Sequence, residues 1–113
     1  MLNYQHKELA NGRWFEFGLP EQLANVGSEI GRAIKWRNQK NEKRKNSAFF
    51  RGLELLSLTI DDPKNRLRLK ELTRLYEVLG DYFIGENQFK SSDKLWDKYF
   101  SFFNCLARKP ISH

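Results

Sequence analysis

The sequence predicts an all-α protein, an antiparallel up-down-up-down four-helix bundle. Apolar residues recur at spacings of three and four along four separate stretches, the signature of helices with one buried face. Only three prolines and seven glycines occur in 113 residues, so few breakers interrupt those stretches. No alternating strand pattern of useful length and no internal repeat is present. Short connections make successive helices antiparallel neighbours.

The elements are expected in the following order. Residues 1–18 read as an irregular arm and residues 19–113 as the bundle domain. Asn11-Gly12 is a turn signal; Trp14, Phe15 and Phe17 follow it and are expected to be pinned onto the body, with residues 1–9 loose. The first helix covers 20–38. Pro20 suits a first helical position because its missing N–H would be unpaired there, and Glu21 faces the positive end of the dipole. Its stripe is Leu23, Val26, Gly27, Ile30, Ala33 and Ile34. Residues 38–47, NQKNEKRKNS, hold nothing to bury and read as a solvated connection whose ends extend either neighbour.

The second helix covers 47–60, with Ala48, Phe49, Gly52, Leu53, Leu56 and Ile60 as its stripe, widened by Phe50, Leu55 and Leu58. Asp61-Asp62-Pro63 breaks the chain. Asp62 caps the next helix and Pro63 opens it. The third helix covers 63–84 through Leu69, Leu72, Tyr76, Leu79 and Phe83, flanked by Leu75 and Tyr82, and Gly85 closes it. The fourth starts at Ser91 or Ser92 and stops at Pro110, with Leu95, Tyr99, Phe102, Phe103 and Leu106 as its stripe. Helices of this length are marginal alone, so burial of the stripes supplies most of the stability.

Composition bounds the function. Hydrophobic residues are 40% of the chain and aromatics 14%, enough for one core. No apolar stretch approaches the roughly 20 residues of a membrane span, and the N-terminus has no apolar signal core. Cys105 is the only cysteine, so it forms no internal disulfide. These features lead us to expect a cytoplasmic protein with no membrane partner.

The formal net charge is +6, which favours an anionic partner. It is concentrated. Residues 31–51 hold eight bases (Arg32, Lys35, Arg37, Lys40, Lys43, Arg44, Lys45 and Arg51) against the single acid Glu42. A second group, Lys64, Arg66, Arg68 and Lys70, begins the third helix, where bases oppose the dipole. Arg108 and Lys109 are expected near it, which would make both ends basic. The functional reading is phosphate contact with counterion release, carried by Arg32, Lys35, Arg37, Lys40, Lys43, Arg44 and Lys45, helped by Lys64, Arg66 and Arg68. Trp36 lies among them, and an exposed Trp36 would stack on an unpaired base. The plain alternative is a charged, solvated loop with Trp36 packed into the core or an interface.

Catalytic and metal signatures are missing. There is no P-loop, dinucleotide fingerprint or nucleophile elbow. His6 and His113 have no partner at ligand spacing. Asp61-Asp62 is read as a turn and cap in preference to a cation site, and Cys105, beside Leu106 and aromatics, as a buried inert thiol. The expectation is a non-enzymatic protein without metal or cofactor. The segment RKPISH at 108–113 has an Arg-x4-His spacing similar to that of HEPN helical ribonucleases. That resemblance makes Arg108 and His113 its candidates, although Pro110 breaks the helix that would present the pair.

The segments LPEQLANVGSEIGRAIKW at 19–36, LELLSLTIDDPKNRLRLKELTRL at 53–75 and DYFIGENQF at 81–89 give the chain the look of a small prokaryotic family. In size, basicity and helix pattern it resembles the bacterial four-helix-bundle proteins of the ribosomal-RNA intervening-sequence group and the Avd accessory proteins of diversity-generating retroelements. The resemblance implies a homo-oligomer that binds nucleic acid and a larger processing protein such as a reverse transcriptase. The aromatic surplus, Trp14, Phe15, Phe17, Trp96, Phe100 and Phe103, is consistent with an interface, or equally with a capped core. The leading expectation is a basic helical adaptor that binds RNA or DNA backbone as a homo-oligomer. The rival is a protein-interaction module whose bases meet an acidic partner.

Overall fold

The computed structural model describes residues 12–108, which are all-helical apart from their connections. A short 3-10 helix, Arg13–Glu16, leads into α1 (Leu19–Asn38) and α2 (Glu42–Asp61). A second 3-10 helix, Pro63–Arg68, leads into α3 (Leu69–Phe83), and α4 (Asp93–Arg108) follows. The four helices form an antiparallel bundle in which α1 is central, packed on α2 and on α4, while α3 leans on α2. No helix among the described residues is long and apolar enough to cross a membrane.

The core is built from most of the expected stripes of the first three helices, but Phe50, Leu69 and Tyr76, expected on them, are exposed. Leu23, Val26, Ile30 and Ala33 of α1 meet Ala48, Phe49, Leu53 and Leu56 of α2, with Leu72, Leu75, Leu79 and Phe83 of α3. Small residues set the helix spacing. A Cβ on Gly52 would lie 3.0 Å from Ile30 Cδ1, and one on Gly27 only 2.6 Å from Phe100 Cβ. Gly52 therefore brings α2 onto α1, and Gly27 brings α4 onto α1.

Four expectations are corrected. The helix-two start at 47 moves to Glu42. Asn41 caps it, its side-chain oxygen accepting from the Arg44 N–H at 3.1 Å, so the basic run forms the first turns of a helix. The third helix is not α-helical from 63. Asp62 accepts from the Lys64 N–H and starts a 3-10 turn, and the α-helix begins only at Leu69. The fourth helix is rotated: Trp96, Phe100 and Phe103 are buried, whereas Leu95 and Phe102 are exposed. Cys105, two residues past Phe103 and away from that face, is exposed, not buried.

The aromatic surplus is absorbed by the core. Trp14, Trp96, Phe100 and Phe103 are buried, and Phe15 and Phe17 pack against them. Trp14 is held by a polar network at the end of the bundle where α2 finishes. Its Nε1–H donates to Thr59 Oγ1 at 3.1 Å. Gln22 Nε2 donates to Asp62 Oδ2 at 2.9 Å and to the Trp14 carbonyl at 3.2 Å. Asn65 Nδ2 donates to Gln22 Oε1 at 2.8 Å and to the Thr59 carbonyl at 3.0 Å. All five side chains are buried. Such groups are expensive to bury unpaired, and here each finds a partner. The network therefore ties the arm, both helix ends and the 3-10 turn together.

Candidate nucleic-acid interface

The α1–α2 hairpin is the most basic part of the molecule, and backbone hydrogen bonds close its turn. The Lys40 N–H donates to the Arg37 carbonyl and the Asn41 N–H to the Trp36 carbonyl, both at 2.9 Å. Lys40 takes φ 59° at the tip, a left-handed conformation that costs a residue with a Cβ about 1–2 kcal/mol. The two hydrogen bonds close α1 in a Schellman stop, whose residue after the C-cap takes this conformation. Just beyond it, Lys43, Arg44 and Lys45 occupy the first turn of α2. There they add to the positive end of the helix dipole instead of offsetting it.

Trp36 organises the cluster. It is half-buried, with the Arg44 guanidinium 4.6 Å and the Lys35 ammonium 5.4 Å from its ring centroid. Contacts of this kind are worth about 0.5–1 kcal/mol at exposed sites. The indole therefore holds two cations in place, and a nucleic-acid base stacking on that ring would have to share it with them. Lys35, Lys40, Lys43 and Arg44 are exposed. Among the described residues, none of these four is in an ion pair.

The other expected bases are engaged differently. Arg32 pairs with Glu29 at 2.5 Å, and Arg51 reaches the same carboxylate at 2.8 Å from α2. Lys45 is buried against the bundle and pairs with Glu42 at 3.1 Å. Arg37 binds Asp93 at 2.5 Å and donates to the Tyr82 hydroxyl at 2.8 Å, tying the hairpin to α3 and α4. Asp93 sits below its ordinary value: burial pushes it up, but hydrogen bonds from Tyr82 and Asn38 and the Arg37 charge outweigh that. Burial first, then the Asp93 hydrogen bond, pushes the Tyr82 phenol up.

Lys64, Arg66 and Arg68 do not join this cluster. They lie at the opposite end of α2, whose 20 residues span about 30 Å. Lys64 is turned back onto Asp62 and the Phe15 carbonyl, and Arg68 binds Glu71 at 2.8 Å. Arg66 is exposed and unpaired among the described residues. Arg108 ends α4 beside the start of α1, lining a groove with Ala24. Lys109, Pro110 and His113, together with residues 1–9 and His6, lie outside the described residues.

Sequence reasoning missed that Asp93 and Tyr82 engage Arg37, because pairing across 56 and 45 positions leaves no local signal. It also missed the Asn41 cap, which was legible as an Asn before a charged helical run. The chain matches no family model, no curated protein and no solved structure, so the functional reading rests on the geometry of this hairpin.

Proposed function

We propose that this protein is a non-enzymatic, cytoplasmic helical-bundle adaptor that binds nucleic-acid backbone through the α1–α2 hairpin and acts as a homo-oligomer. The observation that carries this reading is the group Lys35, Lys40, Lys43 and Arg44 at the α1–α2 turn, all exposed and in no ion pair among the described residues, two of them lying over the Trp36 ring. Bases in the first turn of α2 oppose the helix dipole and so do nothing for local helix stability, and an anionic partner would offset that cost. Phosphates fit because a row of cations releases counterions from a polyanion without reading sequence. Several copies in one oligomer would raise the avidity of a modest patch. The resemblance to Avd-type accessory proteins agrees with this reading and adds a larger nucleic-acid-processing protein, such as a reverse transcriptase, as a partner.

The test is mobility-shift binding of nuclease-treated protein to single- and double-stranded RNA and DNA over a salt series. Binding at micromolar protein or tighter that weakens steeply with salt is expected. Lys40→Glu with Lys43→Glu and Arg44→Glu should abolish it and flatten the salt slope. Lys64→Glu with Arg66→Glu, at the opposite end, should change it little. Absence of binding at low salt would overturn the reading and turn attention to an acidic protein partner.

A further inference from the structure

Phe50 is the large apolar side chain that α2 leaves open, with 47% of its surface exposed. It is nonetheless held. Its ring centroid lies 5.2 Å from that of Phe49, which lies 4.8 Å from that of Phe83. Phe49 and Phe83 are buried, so the core backs the exposed ring. The helix also aligns Phe50 with the basic end of the hairpin. Lys43 precedes it by seven residues, so the two share a face of α2 about 10 Å apart along the axis. Asn46 and Ser47 lie between them, and all four residues are exposed. Lys40 and Arg44 stand at the same end as Lys43. The nearby acid Glu42 is paired with Lys45. Beyond Phe50 the next charged residue on this face is Glu54, one turn on. The face therefore has a direction, with cations on the tip side of the ring and an acid on the far side.

We propose that the nucleic acid bound by this hairpin is single-stranded, with its phosphates on Lys40, Lys43 and Arg44 and an unpaired base stacked on Phe50. The inference rests on the proposed function and names its substrate class. The argument turns on which aromatic surface is free. Over Trp36 the Arg44 guanidinium lies 4.6 Å and the Lys35 ammonium 5.4 Å from the centroid. Among the described residues no cation lies over Phe50. Every base has a flat π-face, so stacking adds affinity without reading sequence. In a duplex those faces are stacked on neighbouring pairs, and freeing one costs unstacking energy. Only a strand with unpaired bases uses both the cations and the ring. Glu54 repels phosphates beyond the ring, so the strand approaches from the tip.

Fluorescence anisotropy over a salt series tests this. The probes are labelled oligo(dT) and oligo(U), a strand of abasic spacers and a DNA duplex, all of one length. At physiological salt, wild type should bind the tighter of the two homopolymers more strongly than the abasic strand or the duplex. Phe50→Ala should weaken homopolymer binding about tenfold. It should leave the salt slope unchanged, because no phosphate contact is lost, and should change abasic and duplex binding less than twofold. Phe50→Tyr should bind like wild type. Circular dichroism checks the fold. If Phe50→Ala does not fold, Phe50→Leu keeps an apolar contact with Phe49 without the flat ring and should show the same loss. Leu67→Ala, exposed beyond the far end of α2, should have no effect. A wild type that binds the duplex or the abasic strand as tightly as the homopolymers overturns the proposal. So do Phe50 losses that are absent or equal on all probes. Either result leaves the backbone reading standing, whereas no binding of any probe overturns both.

Discussion

Gly27 and Phe100 meet where α1 crosses α4, and a Cβ on Gly27 would sit 2.6 Å from the Phe100 Cβ. That atom is anchored next to the α4 backbone, so the helix itself would have to move. Gly31, one turn on, faces open space. Gly27→Ala should therefore lower stability by about 1–3 kcal/mol through overpacking. Gly31→Ala should raise it by about 0.5–1 kcal/mol through helix propensity. Urea denaturation of the two variants checks the contrast.

The buried network around Gln22 makes the bundle end sensitive to acid. Burial pushes the Asp62 carboxyl up, but hydrogen bonds from Lys64 and Gln22 outweigh that and hold it below its ordinary value. The unfolded chain thus takes up the proton first as pH falls. Stability contributed by Asp62 is present above about pH 4 and is lost below it. Asp62→Asn should reduce stability at neutral pH and flatten this acid limb. Thr59→Val should cost about 1–3 kcal/mol by leaving the Trp14 N–H without its acceptor. Denaturant midpoints at neutral and acid pH measure both.

Tyr99 gives the opposite limb. Burial first, then the Glu71 carboxylate, pushes its phenol up to about 12, with Arg68 pulling the other way. Its contribution to stability is complete below about pH 10, the unfolded value, and is lost as pH rises toward that of the folded state. Tyr99→Phe should remove one late-titrating phenol from the absorbance titration and blunt alkaline unfolding.

Bases already engaged in the fold should separate from those free to bind. Lys45→Met removes a buried, paired cation and Arg32→Ala a partner of Glu29. Each should change nucleic-acid affinity less than twofold, while Lys43→Ala and Arg44→Ala should each lower the salt slope by about one. Filter binding at several salt concentrations measures this.

Much of the architecture is written locally. Four stripes, Pro20, Asp62-Pro63 and the serines before Asp93 mark the helices, because capping and amphipathic spacing act within a few residues. The site was partly legible as well. The density of bases between Arg32 and Lys45 stands out in the sequence, although their division into free and engaged groups does not.

By itself, then, the sequence determined an all-helical chain, its number of helices, and a basic connection at 38–47 that holds no apolar residue. Only the tertiary structure decided which face of α4 is inside. Two apolar stripes compete there, and the close approach allowed by Gly27 awards the core to Trp96, Phe100 and Phe103. Only the tertiary structure assigned Asp93 to Arg37 and Arg51 to Glu29, because side chains far apart in the chain meet only once the helices have packed.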